Sequence, residues 1–77
     1  MVDPYGLVGM GAAIGAGLAV GLAGLGTGFA EKDVGAAAVG ATAEQPSMFG
    51  RGMVFMVIPE TVILFGFLIA VMLIGKI

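Results

Sequence analysis

The chain has 77 residues, of which 60% are hydrophobic and 10% charged, and its formal net charge is −2. A water-soluble domain usually carries about a quarter charged residues, and a soluble unit this short buries too little surface to be more than marginal. With no Cys and no His there is no disulfide, thiol chemistry or His/Cys metal site, and three basic residues argue against a nucleic-acid partner.

The apolar residues fall in two stretches. Residues 4–30 carry no charge, and residues 52–75 carry one, Glu60. Each stretch exceeds the roughly 20 apolar residues that cross ~30 Å of hydrocarbon. The expected fold class is therefore all-α membrane. We read a two-transmembrane-helix hairpin assembling into a homo-oligomeric ring. The chain divides into helix one at 4–43, a polar turn at 44–47 and helix two at 48–76. The first stretch does not read as a cleaved signal peptide, because no Lys or Arg precedes Lys32 and the apolar run is too long.

Asp3-Pro4 is the expected start of helix one, with Pro4 in its first turn. Glycine recurs throughout this helix. In water that density would oppose helix formation, but in lipid the backbone must bond internally and the helix persists. Gly11 and Gly15, Gly17 and Gly21, and Gly24 and Gly28 are each four apart, which stacks small faces and lets neighbouring backbones approach closely. So many glycines serve more than one contact line, as in a helix of a tight inner ring. A nucleotide-binding reading of these glycines is weak, because no complete GxGxxG occurs and no strand precedes the region.

Glu31, Lys32 and Asp33 follow the first apolar stretch. They can mark the membrane boundary as a solvated helix extension. Alternatively Glu31 lies within the membrane, since the residues from Val34 to Ala43 are still small and mostly apolar. Lys32 and Asp33 point about 100° and 200° away from Glu31 around the helix axis, and no role is assigned to them. In the turn, Pro46 lacks an amide hydrogen and breaks the helical ladder. Glu44, Gln45, Pro46 and Arg51 read as a polar loop, either simply solvated or docking a partner.

Helix two is bulky, with Met53, Phe55, Met56, Ile58, Ile63, Leu64, Phe65, Phe67, Leu68 and Ile69. One thin and one thick helix make a wedge, and wedges tile into a ring. Pro59 frees a backbone carbonyl near Phe55. It reads equally as a bend beside Glu60 or as a tolerated membrane proline. Glu60 is a carboxylate within an apolar span, where an ionised group is costly and a functional role is the default reading. It lies 14 residues after Pro46, and Glu31 lies 15 before it. In an antiparallel hairpin both stand roughly 21–22 Å from the turn, so the two carboxyl groups share a depth. Facing carboxylates cannot both ionise cheaply, so they share a proton or a cation. Thr61 and the carbonyls near Pro59 complete an oxygen-only cluster suited to a hard cation or a proton.

The glycine-rich first helix, the turn Gln45-Pro46-Ser47-Met48-Phe49-Gly50, and the segments Pro59-Glu60-Thr61 and Leu64-Phe65-Gly66-Phe67 together resemble the rotor-ring proteolipid of archaeal A-type and vacuolar-type rotary ATP synthases, the c or K subunit. The resemblance covers essentially the whole chain. It implies a non-catalytic, ion-translocating component of the rotor, with two spans in the cell membrane and copies of itself in a ring. Each Glu60 would carry one Na+ or H+ as the ring turns, coupled to ATP synthesis or hydrolysis by other subunits. The carboxylate would be neutral while facing lipid and would release its ion against a static membrane subunit bearing an arginine. The loop with Glu44, Gln45, Pro46 and Arg51 would meet the central stalk, on the cytoplasmic side. Sodium-carrying relatives place Gln or Glu opposite the key acid, a hydroxyl after it and a backbone carbonyl nearby. Glu31, Thr61 and the carbonyl of Ile58 correspond to these. Phe65 stands where such relatives often have Tyr, and Val62 where some vacuolar-type members have Gln. No cofactor is implied beyond the transported ion, with Na+ slightly favoured over H+. Two other readings of the same residues are a structural glycine-zipper oligomer and a small ion pore. The first leaves the matched depth of Glu31 and Glu60 unexplained. The second lacks polar residues repeating along one face.

Overall fold

A computed structural model describes residues 4–77. Helix α1 runs from Pro4 to Glu44, a short 3-10 turn covers Pro46–Met48, and helix α2 runs from Phe49 to Ile74. The two helices lie antiparallel in a hairpin 62 Å long and only 16 by 10 Å across. The Asp3 half of the expected Asp3-Pro4 start lies outside the described residues. Helix α1 keeps Glu44, which the sequence reading assigns to the turn, and α2 begins one residue later than expected.

The reversal uses local chemistry only. The amide of Gln45 still donates to the Ala41 carbonyl at 2.8 Å. Its backbone then opens to an extended conformation, φ −136° and ψ 98°. A residue before proline is pushed there, because the proline ring disfavours the helical region for it. Pro46 starts the 3-10 turn, where its missing amide costs nothing, and the Met48 amide donates to the Gln45 carbonyl at 2.9 Å. Among the described residues no backbone has positive φ. At the far end α2 stops at Ile74. The amides of Lys76 and Ile77 close tighter turns onto Leu73 and Ile74, so the helix does not continue to Lys76.

The hairpin has almost no interior. Ala16, Ala70 and Thr27 are buried, whereas Leu18, Leu22, Phe29, Phe55, Phe65 and Phe67 are more than half exposed. Neither helix has a polar face. An apolar helix exposed all round is a membrane helix or one covered by other chains. Both helices are long and apolar enough to cross a bilayer. The protein is a membrane hairpin with two spans.

A line of small residues joins the helices. A Cβ placed on Gly15 would sit 3.4 Å from Leu73, one on Gly24 would sit 3.3 Å from Ile63, and one on Gly52 would sit 3.2 Å from the Ala38 methyl. The closest approach is at Gly66, where a Cβ would stand 2.6 Å from that of Ala23 and 2.7 Å from the Ala19 carbonyl oxygen. Without a hydrophobic force between helices in lipid, such close backbone contact is what holds them.

The other glycines of the sequence pattern face elsewhere. A Cβ on Gly11, Gly17, Gly21 or Gly28 would meet nothing within 4 Å. Two of the pairs at spacing four therefore divide, with Gly15 and Gly24 meeting α2 and Gly11 and Gly28 left open, while Gly17 and Gly21 are both open small-residue surface.

Candidate ion site

Two rungs of polar side chains cross the helix seam near the middle of α2. Thr27 forms the first. It is 4% exposed, and its hydroxyl donates to the Pro59 carbonyl oxygen at 3.0 Å. Glu31 forms the second. One turn further along α1 on the same face, its carboxyl group stands beside the Glu60 carboxyl. Glu31 and Glu60 are both half-buried. Equal distances from the Pro46 turn bring these two acids side by side.

Why these residues meet follows from the seam. Ala19, Ala23, Thr27 and Glu31 recur every four residues, so they share one face of α1. Small residues on either side of Thr27 pull the backbones close enough for a threonine hydroxyl to reach a main-chain carbonyl. Pro59 weakens α2 at this height, because it offers no amide to the Phe55 carbonyl. Helix α2 nevertheless continues through it from Phe49 to Ile74.

Thr61 is exposed, and its hydroxyl donates to the Ile58 carbonyl at 2.8 Å. Two of the oxygens in the expected cluster thus bond to each other. The hydroxyl oxygen of Thr61 keeps its lone pairs, because only its hydrogen is engaged. Lys32 and Asp33 are exposed. At the turn, Glu44, Gln45, Pro46 and Arg51 are all exposed.

Sequence alone does not single out Thr27. The signal is present, since Thr27 is the one Ser or Thr between residues 4 and 41 and precedes Glu31 by a single helical turn. Gly66 is visible in the sequence only as part of a motif, and its close contacts with Ala19 and Ala23 come from the three-dimensional packing.

Residues 14–73 match the family model for the C subunit of ATP synthase. The chain is 48% identical over 73 residues to the K subunit of the A-type ATP synthase of Methanocaldococcus jannaschii, covering 95% of this chain and 31% of that protein. It is 45% identical over 71 residues to the c subunit of the ATP synthase of Syntrophomonas wolfei, covering 87% of this chain and 99% of that protein. It is 43% identical over 63 residues to the 16 kDa proteolipid of the human V-type proton ATPase, covering 82% of this chain and 41% of that protein. The chain thus spans about a third of the archaeal relative and nearly all of the bacterial one. With the family model matched over most of its length and its two apolar helices folded as one hairpin, the chain belongs to the C-subunit family of ATP synthases, the non-catalytic proteolipids of the membrane rotor ring.

Proposed function

We propose that this hairpin is the ion-carrying unit of a rotary ATP synthase or ATPase, with Glu60 holding the transported cation and Glu31 as its partner. The observation that carries the reading is the apposition of the Glu31 and Glu60 side chains near the midpoint of α2. A single ionised carboxylate is costly in hydrocarbon, and one cation or proton held between two carboxyl groups removes most of that cost. Copies in a ring would carry loaded sites past lipid, neutral where Glu31 stays protonated and the ion sits on the Glu60 carboxylate. Release would occur against a static membrane subunit whose arginine draws the carboxylate into its ionised form. The membrane potential contributes ~2.3 kcal/mol per charge per 100 mV. The exposed loop around Glu44, Gln45, Pro46 and Arg51 would receive the central stalk.

The cargo we propose is sodium. Two carboxyl groups, the Thr61 hydroxyl and the Ile58 carbonyl offer only oxygen, the donor that hard cations prefer. Turning the Thr61 hydroxyl off the Ile58 carbonyl would present both oxygens to the ion. A proton is the second reading, favoured by the closeness of the two carboxyl groups, which lets a protonated Glu60 pair with a protonated Glu31. Labelling membranes with a permeant carbodiimide tests both. The adduct is expected on Glu60 alone, slowed by sodium if sodium is the cargo and insensitive to it if the cargo is a proton. Glu60→Gln should assemble the ring and abolish transport, and retained transport refutes the assignment.

A further inference from the structure

We propose that Thr27 is a positioning residue for Glu60, an inference that rests on the ion-carrier reading above. The hydroxyl of Thr27 donates across the seam to the carbonyl of Pro59, the residue immediately before Glu60. Thr27 also lies one turn before Glu31 on the face that meets Glu60. One side chain therefore ties together the two backbones that carry the acids, at the height where they meet.

A directional tie matters here because the rest of the seam resists sliding poorly. Around this height it consists of alanine and glycine against alkyl side chains, as at Gly24 with Ile63 and Gly35 with Met56. Dispersion contacts of this kind are weak singly and only loosely directional. A slip of one residue would displace α1 by about 1.5 Å along α2. That is enough to carry a hydrogen bond out of range, since a donor and acceptor about 3.6 Å apart no longer form one. Pro59 adds to the need, because α2 lacks one ladder bond at this point. The Thr27 hydroxyl holds α2 from outside where its own ladder is incomplete, and so fixes the height of the Glu60 carboxyl relative to that of Glu31. Burial of Thr27 leaves its hydroxyl no water as a substitute partner.

The test compares the wild type with Thr27→Val, Thr27→Ala and Thr27→Ser in membranes holding the complete assembly. Ring content is measured first. The readout is then the sodium concentration, or the pH if sodium gives no protection, at which carbodiimide labelling of Glu60 is half-maximal. Valine keeps the shape and removes the hydrogen bond, alanine removes the hydrogen bond with no bulk, and serine keeps the hydroxyl. We expect the Val and Ala variants to retain the ring yet shift the midpoint about fivefold, as loss of one hydrogen bond would do, with Ser within about twofold of wild type. An unshifted midpoint in the Val and Ala variants overturns the inference, as does a Ser variant shifted as far as Val. Loss of the ring in both Val and Ala variants overturns it too, by making Thr27 a purely structural residue. A wild type that is not labelled at Glu60 at all refutes the ion-carrier reading itself and removes the basis for a positioning role.

Discussion

Adding one methyl group at Gly66 probes the closest contact in the hairpin. An alanine there would set its Cβ 2.6 Å from the Ala23 methyl and 2.7 Å from the Ala19 carbonyl oxygen. Carbon atoms rest at about 3.5–4.0 Å, so the helices must part by roughly 1 Å. Neither neighbour can yield, because a methyl has no alternative rotamer and the Ala19 oxygen belongs to the α1 backbone. Overpacking of this kind costs typically ~1–3 kcal/mol. The better helix propensity of alanine returns up to ~1 kcal/mol, which leaves a net loss on the order of 1 kcal/mol. Thermal disassembly of the purified ring in detergent reads this directly. Gly66→Ala should disassemble several degrees lower than wild type, and Gly50→Ala, whose Cβ would meet nothing within 4 Å, should not. Combining Ala23→Gly with Gly66→Ala removes the contact at 2.6 Å and leaves the one at 2.7 Å, so the double variant should recover only part of the loss. A Gly66→Ala ring as heat-resistant as wild type would refute the packing described for this seam.

Three further outcomes can be checked. Gly21→Leu should leave each hairpin helical by circular dichroism, because Gly21 is open in a single hairpin, yet prevent ring assembly on native gels if its small face serves a neighbouring copy. Glu31→Leu should weaken sodium protection of Glu60 about tenfold or more, since losing a charged partner costs ~1.5–3 kcal/mol; unchanged protection would remove Glu31 from the site. Arg51→Ala should alter ring stability by less than about 0.5 kcal/mol, as exposed substitutions do. The same variant should lower ATP-driven ion uptake relative to ATP hydrolysis if the loop meets the stalk.

Much of the hairpin can be read from residue types. Long apolar runs mark the spans, Pro46 with the residue before it marks the reversal, and residue counts from Pro46 bring Glu31 opposite Glu60. These succeed because helical rise is constant and lipid forbids alternatives to helix. Residues whose role depends on rotation about the axis are harder to read. Glycines fill so much of α1 that spacing alone cannot separate Gly15 and Gly24, which meet α2, from Gly17 and Gly21, which do not. Thr27 is small enough to pass for another packing residue until its hydroxyl is seen on Pro59. Gly66 stands among bulky residues in the second half of α2, with no repeat to announce it. Helix α1 ends at Glu44, one residue beyond the expected boundary, because proline forces only the residue before it out of the helix and Glu44 is one position further back.

The 62 Å length of the hairpin has a mechanical consequence. A hydrocarbon slab is ~30 Å thick, so about half of this rod stands outside it as unbroken helix, ended by a turn of only a few residues. A ring of such rods is a tall, stiff cylinder rather than a disc. In a rotary machine, elastic twist would then be stored mostly in the shaft that grips the cylinder, and each carboxylate would advance in step with the loop about 21 Å above it.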